Sequence, residues 1–361
     1  MNSARSNSVT HLYNIQIKKK QLLFFLLIIL LALLCVIAIA AGSYNISVRK
    51  IIVALLGQAQ GASDIVVWSI RMPRIVAAIV AGWSLGLSGV AMQSLLKNPL
   101  AAPSTLGISH GAAFGAAVAI VTLGAGSTEM GALHTSAEQL IYLDNIYSVS
   151  IFAFLGAIIA TVLILFLAVI KRMAPEAIIL AGVAFSSLFV SGTILIQYFA
   201  DEVELAAIVF WTFGDVARSN WQEIAVMSAA CVLGTAYFVW NRWNLNALSA
   251  GEDAAKGLGV DVNKIRLSGM FVAALLCSLA VAFHGVIAFL GLLAPHIGRR
   301  FVGADHRFLI PYSCVLGALL LLLADTVGRT VIGSGTLPVG VLTSFMGAPL
   351  FLYLLLIGQK R

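Results

Sequence analysis

The sequence predicts an all-α, polytopic membrane protein of about ten transmembrane helices, on three observations. Charge is scarce: 10% of the 361 residues are Asp, Glu, Lys or Arg, and 60% are hydrophobic. A water-facing domain carries roughly 25% charged residues. The apolar runs are continuous over the ~20 residues that cross a hydrocarbon core as a helix, residues 22–41 being the first. Lipid admits only helices and closed barrels, because every backbone polar group must be satisfied internally. Barrel strands would alternate in polarity over ~10 residues, and these runs do not. The mean hydropathy of +1.00 agrees.

In chain order, the spans fall near 22–42, 74–96, 106–124, 149–170, 177–199, 222–240, 266–284, 286–299, 308–327 and 338–357. The eighth is short and follows the seventh across His284 and Gly285, so hydropathy alone also allows nine or eleven. Residues 1–21 are expected as a cytoplasmic tail, 22–358 as the membrane domain and 359–361 as a second tail. Residues 38–40 resemble a signal cleavage site, but the apolar run before them exceeds the 7–15 residues that signals use.

Lys and Arg set the orientation, since inner loops carry the excess. With the N-terminus inside and ten crossings, 16 of the 22 basic residues fall on the inner side, both termini included. Arg49, Lys50, Arg71, Arg74, Arg218 and Arg329 remain outside. The net charge of +7 then reflects topology and attraction to anionic lipid; no basic motif or aromatic platform supports nucleic-acid binding. The polar stretch 125–147 is expected outside. The inner loop 241–264 reads as one or two short helices, with Ser249 as a cap, Glu252 and Asp253 at a positive helix end, and Gly257 and Gly259 as breakers.

Catalytic chemistry has no footing. No glycine precedes a lysine, so the phosphate-cradling GxxxxGK[ST] loop is absent, as are HExxH and GxSxG. Cys35, Cys231, Cys277 and Cys314 stand singly in apolar stretches without a CxxC, which reads as packing. His110, His284 and His296 are isolated, and no metal site, cofactor or nucleophile–base pair is assembled.

Small residues do form a pattern. Ala78, Gly82 and Gly86, then Gly111 and Gly115, recur at spacing four, the spacing that lets helix backbones approach in lipid. Asn98, Pro99, Pro103 and Gly107 break the chain between the second and third spans, and broken backbone at that depth must be buried in protein or face a cavity. The outer arginines are the exception to the charge pattern. Asp325 and Arg329 are four apart and can pair within a helix, and lipid headgroups are a second plain explanation. The functional alternative is a cationic ring for an acidic partner or an anionic solute.

Ordered blocks resemble a known family: RMPR (71–74), SGVAMQSLLKNPLAAPSTLGIS (88–109), ILAGVAF (179–185), WTFG (211–214) with Trp221, ALSAGEDAAKGLGV (247–260), GVIAFLGLLAPHIGRRFVGADHR (285–307), LLLADTVGR (321–329) and LPVGVLTSFMGAPLFLYLL (337–355). Together, over roughly 45–358, they are similar to the FecCD-type permeases, the membrane subunits of importers for iron–siderophores, haem and cobalamin. The resemblance implies a type II ABC importer permease of ten helices in a bacterial inner membrane. It further implies a second permease subunit (a homodimer, or a heterodimer of two such permeases), a cytoplasmic ABC ATPase dimer that carries the hydrolysis, and a periplasmic or lipid-anchored substrate-binding protein. Arg71, Arg74 and Arg329 match the family's docking arginines for the binding protein. Gly251, Glu252, Ala255, Leu258 and Gly259 match the segment that packs on the ATPase. Pro175 and Glu176 match the inner gate region, where the vitamin B12 permease has small hydroxyl residues instead. Trp211 and Gly214 belong to an external half-helix near 209–218 expected to gate the outer mouth.

The implied mechanism is alternating access, with the solute passing between two subunits and specificity held by the binding protein. The cargo expected first is an iron–siderophore, with haem and cobalamin as alternatives. The rival from another class is an ion-coupled secondary transporter, which would keep ionisable groups near the membrane midplane; Glu176 and Asp325 lie near span ends instead.

Overall fold

The computed structural model describes residues 2–42, 48–55, 62–124, 139–331 and 337–358. Every regular element among them is helical. The chain opens with α1 (Asn2–Ala40), α2 (Val48–Leu55) and α3 (Ala62–Ile65), then a π-helical turn (Val66–Arg71) that runs into α4 (Met72–Leu95). A 3₁₀ turn (Ser104–Leu106) leads to α5 (Ile108–Leu123), α6 (Gln139–Ile170), α7 (Pro175–Phe199) and α8 (Glu202–Thr212). After a second 3₁₀ turn (Val216–Arg218) come α9 (Trp221–Trp240), α10 (Arg242–Ala250), α11 (Glu252–Gly257) and α12 (Val262–His284). The chain closes with α13 (Leu290–Val302), α14 (His306–Val331) and α15 (Val339–Gly358).

Each of the ten expected spans coincides with a helix. Seven among the described residues are long and apolar enough to cross a membrane, and α5 and α15 supply shorter apolar helices. The eighth span differs from expectation. Helix α13 starts at Leu290 rather than near 286, and its 13 residues reach only about 20 Å. The non-helical stretch 285–289 precedes it, with positive φ at Gly285 and Phe289. It is tolerated because it is buried against protein, with Ile287 4% exposed. Helix α1 continues through the expected tail as one 39-residue helix, about 58 Å long and far longer than the bilayer core. Most of the outer stretch 125–147 lies outside the described residues.

Helix α4 is the axis, buried over 83% of its most apolar window, against 6% for α1 and 22% for α7. It packs on α9, α12, α13 and α14. Small residues make this possible, since helices in lipid gain no hydrophobic drive toward each other and depend on close packing. A Cβ on Gly82 would overlap the Gly317 carbonyl, and one on Gly86 the Ser313 carbonyl, both on α14. Gly111 and Gly115 meet Gly156 and Phe152 of α6 in the same way. The spacing-four pattern is therefore helix packing. Hydroxyls add stitches: Ser84 and Ser88 donate to the Leu276 and Ala273 carbonyls of α12 at 2.8 and 2.5 Å. Cys231, Cys277 and Cys314 are buried and unpaired, as packing residues are.

The two ends of the bundle are chemically distinct. At the basic end, the Lys20 ammonium donates to the Val302 carbonyl at 2.7 Å, and the Tyr312 hydroxyl donates to the Lys20 carbonyl. His306 contacts Ser94 and Asn246 there. The opposite end holds the C-terminus of α1 and the arginines expected outside.

Candidate functional site

At the opposite end, the last carbonyls of α1 have no intrahelical partner and carry the negative end of the helix dipole. Two arginines cap them. Arg71 donates to Ile39 at 2.5 Å and Ala40 at 3.3 Å; Arg329 donates to Ala38 at 3.2 Å and Ala41 at 3.3 Å. Asp325, with no exposed surface, lies 2.7 Å from the Arg74 Nε and 3.1 Å from the Arg329 Nε, the second being the i,i+4 pair the spacing suggested. Asp215 adds a looser contact with Arg74 at 3.7 Å. The structure thus brings Arg71, Arg74 and Arg329 together, at 4, 9 and 8% exposure. Among the described residues, Asp325 and Asp215 are the carboxylates in ion-pair contact with Arg74, and Asp325 also with Arg329. Arg49 and Arg218 are exposed at this end.

Trp211 and Gly214 sit beside this cluster in a tight knot. The helix of the expected half-helix runs over Glu202–Thr212 and begins earlier than foreseen, because Asp201 and Glu204 form a reciprocal capping box at its start. Gly214 has φ +70° and faces the Val286 carbonyl, so no side chain fits there. Its carbonyl accepts from the Gly340 N–H at 3.3 Å. A cavity of about 480 Å³ opens beside the knot, lined by Phe213, Val286, Ala288, Ser344 and Phe345 among others. A second, of about 750 Å³, lies toward the basic end between Pro99, His296, Arg299, Arg300 and Leu350. Both border α15 and the α13 segment.

At the basic end, loop 241–264 forms two helices, as expected. Ser249 does not cap the second: its hydroxyl donates to the Leu245 carbonyl inside α10. The cap residue is Gly251, at φ +132°. Gly259, at φ +83°, closes the segment, and nothing lies within 4 Å of a Cβ at either glycine. Backbone conformation therefore demands these glycines, and α11 is a short rigid piece between two bends. Leu248, Ala255, Val262 and Ile265 form a small core of their own beneath it. Leu258 stands 74% exposed at the tip.

Beneath α11 lies Arg266, 1% exposed. Its Nε donates to the Leu95 carbonyl at 3.0 Å, its Nη1 to the Met173 carbonyl at 2.6 Å, and its Nη2 to Glu252 at 2.5 Å. The Arg266 hydrogen bond, opposed in part by burial and helped by Lys97 and Lys256, holds the Glu252 carboxyl below its ordinary pKa. Met173 and Arg172 have φ of +59° and +54°, a conformation that costs a non-glycine residue about 1–2 kcal/mol. The next residues, Ala174 and Pro175, start α7; Pro175 is half-buried and Glu176 exposed. Sequence reasoning counted Arg266 only as a topology charge. Its place in the first turns of α12, past the Asp261 cap, hinted at burial, but its partners come from three distant segments. Among the described residues no three His, Cys, Asp or Glu side chains gather to hold a metal.

The family model of the FecCD transport family matches residues 29–357. The chain belongs to that family. A protein of Methanocaldococcus jannaschii named as an ABC transporter permease is 51% identical over 349 residues, covering 97% of this chain and 98% of the relative. The haemin transport system permease of Yersinia pestis is 36% identical over 295 residues, covering 80% and 83%. The vitamin B12 import system permease of Vibrio cholerae is 36% identical over 294 residues, covering 80% and 82%. A solved metal-chelate-type ABC transporter in an inward-facing conformation superposes with a TM-score of 0.76 at 31% identity, covering 93% of this chain and 99% of that one. This FecCD chain is a membrane-spanning transport permease.

Proposed function

We propose that this chain is the permease of an ATP-driven importer that moves a metal chelate, an iron–siderophore first among the family's cargoes, delivered by an external binding protein. The observation that carries the reading is the segment around α11. It is a short helix between two glycine bends, on its own small core, with Leu258 presented to a partner. A separate ATPase dimer grips this segment on the cytoplasmic side, and the binding protein docks over the arginine end outside.

A second copy of the permease completes the path. The cavities beside α15 and α13 open at both ends of one face, and a bulky chelate passes between two such faces rather than through a bundle whose axis is closed by α4. Because Arg71, Arg74 and Arg329 are already engaged within the chain, the exposed Arg49 and Arg218 make the direct contacts with acidic groups of the binding protein, and the buried arginines hold the docking surface in shape. Trp211 and Gly214 shape the outer mouth, and Pro175 and Glu176 the inner one. The test is uptake into vesicles holding the permease, its ATPase and its binding protein, with a ferric siderophore, haemin and cobalamin compared. ATP-dependent uptake of the ferric siderophore alone is expected. Uptake without ATP or binding protein would sink the importer reading, and preference for haemin or cobalamin would reassign the cargo.

A further inference from the structure

We infer that Arg266 and Glu252 form a latch that carries the movement of α11 to the start of α7; this rests on the reading that α11 meets the ATPase. Three helix ends converge on one guanidinium. The Leu95 and Met173 carbonyls belong to the C-terminal turn of α4 and the turn that follows α6, where carbonyls lack helical partners and the dipole is negative. Glu252 opens α11, at the positive end of that helix. A cation suits the first two sites and an anion the third, so the geometry is self-consistent while α11 is seated.

The two sides of the latch differ in freedom. Arg266 is fully buried, whereas the Glu252 side chain is a third exposed, on a segment with bends at Gly251 and Gly259. Displacement of α11 withdraws the carboxylate. A buried guanidinium left without its counter-charge is strongly unfavourable, so it shifts toward water and gives up the Met173 carbonyl. The left-handed Arg172–Met173 turn then relaxes, and α7 is free to move from its N-terminus. Helix α7 suits that role because only Ile178, Gly182, Phe189 and Thr193 are buried along its length. Arg266 is thus a positioning residue that couples the ATPase-facing segment to the helix beginning at Pro175.

The experiment uses the complete transporter in lipid vesicles, with ATP hydrolysis, uptake and thermal stability measured together. Glu252→Gln is expected to assemble and hydrolyse ATP, while uptake per ATP falls about tenfold or more, the scale of one charge-assisted hydrogen bond. Glu252→Asp is expected to recover part of it. An unchanged ratio of uptake to ATP in Glu252→Gln would overturn the latch. Spin labels on Lys171→Cys and Lys256→Cys, both exposed sites, with the native cysteines replaced, follow the motion with Arg266 and Glu252 themselves in place. Residue 171 is expected to shift when ATP moves residue 256, and a stationary residue 171 refutes the proposal even if Glu252→Gln fails to assemble. Leu258→Asp separates the two claims: if the ATPase still co-purifies with it at wild-type yield, the underlying reading of α11 fails.

Discussion

Two carboxylates organise the charged chemistry at the ends of this FecCD permease. Asp325 is enclosed and holds Arg74 and Arg329. Removing one partner of a buried ion pair costs about 3–5 kcal/mol. Asp325→Asn is therefore expected to lower the melting temperature of the detergent-solubilised protein by several degrees. Adding Arg74→Gln is expected to cost less than a second independent loss, since the pair is already broken. Glu252 at the other end has a depressed pKa. Its stabilising contribution is complete above the unfolded carboxyl value of about 4.3 and is lost as pH falls through the lower folded value. Hydrogen exchange over residues 242–264 is accordingly expected to be flat from neutral pH down to about 5 once corrected for intrinsic rates, then to accelerate below about 4. Acceleration between pH 6 and 8 would contradict the pairing.

Among the helices, the glycines divide by the reason for their presence. Gly82 allows α4 to touch α14, and a side chain there meets backbone that cannot yield. Gly82→Val is expected to abolish folded yield or lower the melting temperature sharply, as overpacking of a close helix contact does. Gly257 ends α11 with open space around it, so Gly257→Ala is expected to be neutral within about 0.5 kcal/mol. Gly259→Ala, forced into a left-handed conformation, is expected to cost about 1–2 kcal/mol locally, read as faster exchange in the loop. Equal effects at the two positions would remove the hinge assignment. The spacing of Gly82 and Gly86 made their role legible, because packing in lipid needs small residues at that period. The irregular start of the eighth span was not legible, since residues 286–289 are as apolar as a helix and burial beside Gly214 and Gly340 permits them to be non-helical.

For the whole molecule, Lys20 and Arg266 lie toward one end of the bundle and Arg71, Arg74 and Arg329 toward the other. The arginine end presents Arg49 and Arg218 at its surface, alongside exposed acidic residues such as Asp201 and Glu202. Reversal of both arginines to glutamate is expected to weaken association of the binding protein about tenfold or more at low salt, mainly through the on-rate, and to leave melting unchanged. Because exposed charges are screened within about 10 Å at 0.1 M salt, the difference is expected to shrink at high salt. Unchanged binding would move docking elsewhere on this end. The weakly buried faces of α7 and α9 are left for lipid or a second subunit.

The sequence by itself determined the helical membrane class, the spans, the two-helix loop 241–264 and the family, because each is written in local composition or in ordered motifs. Only the tertiary structure decided what the charges do. Arg71, Arg74 and Arg329 match the family's docking arginines by motif, and the fold adds that Arg71 and Arg329 cap the end of α1, whose carbonyls lie about 30 and 290 residues away in the chain. Arg266 read as one more inner charge, yet it joins carbonyls and a carboxylate from three segments. A charge announces its sign in the sequence, but its partner is set by the fold.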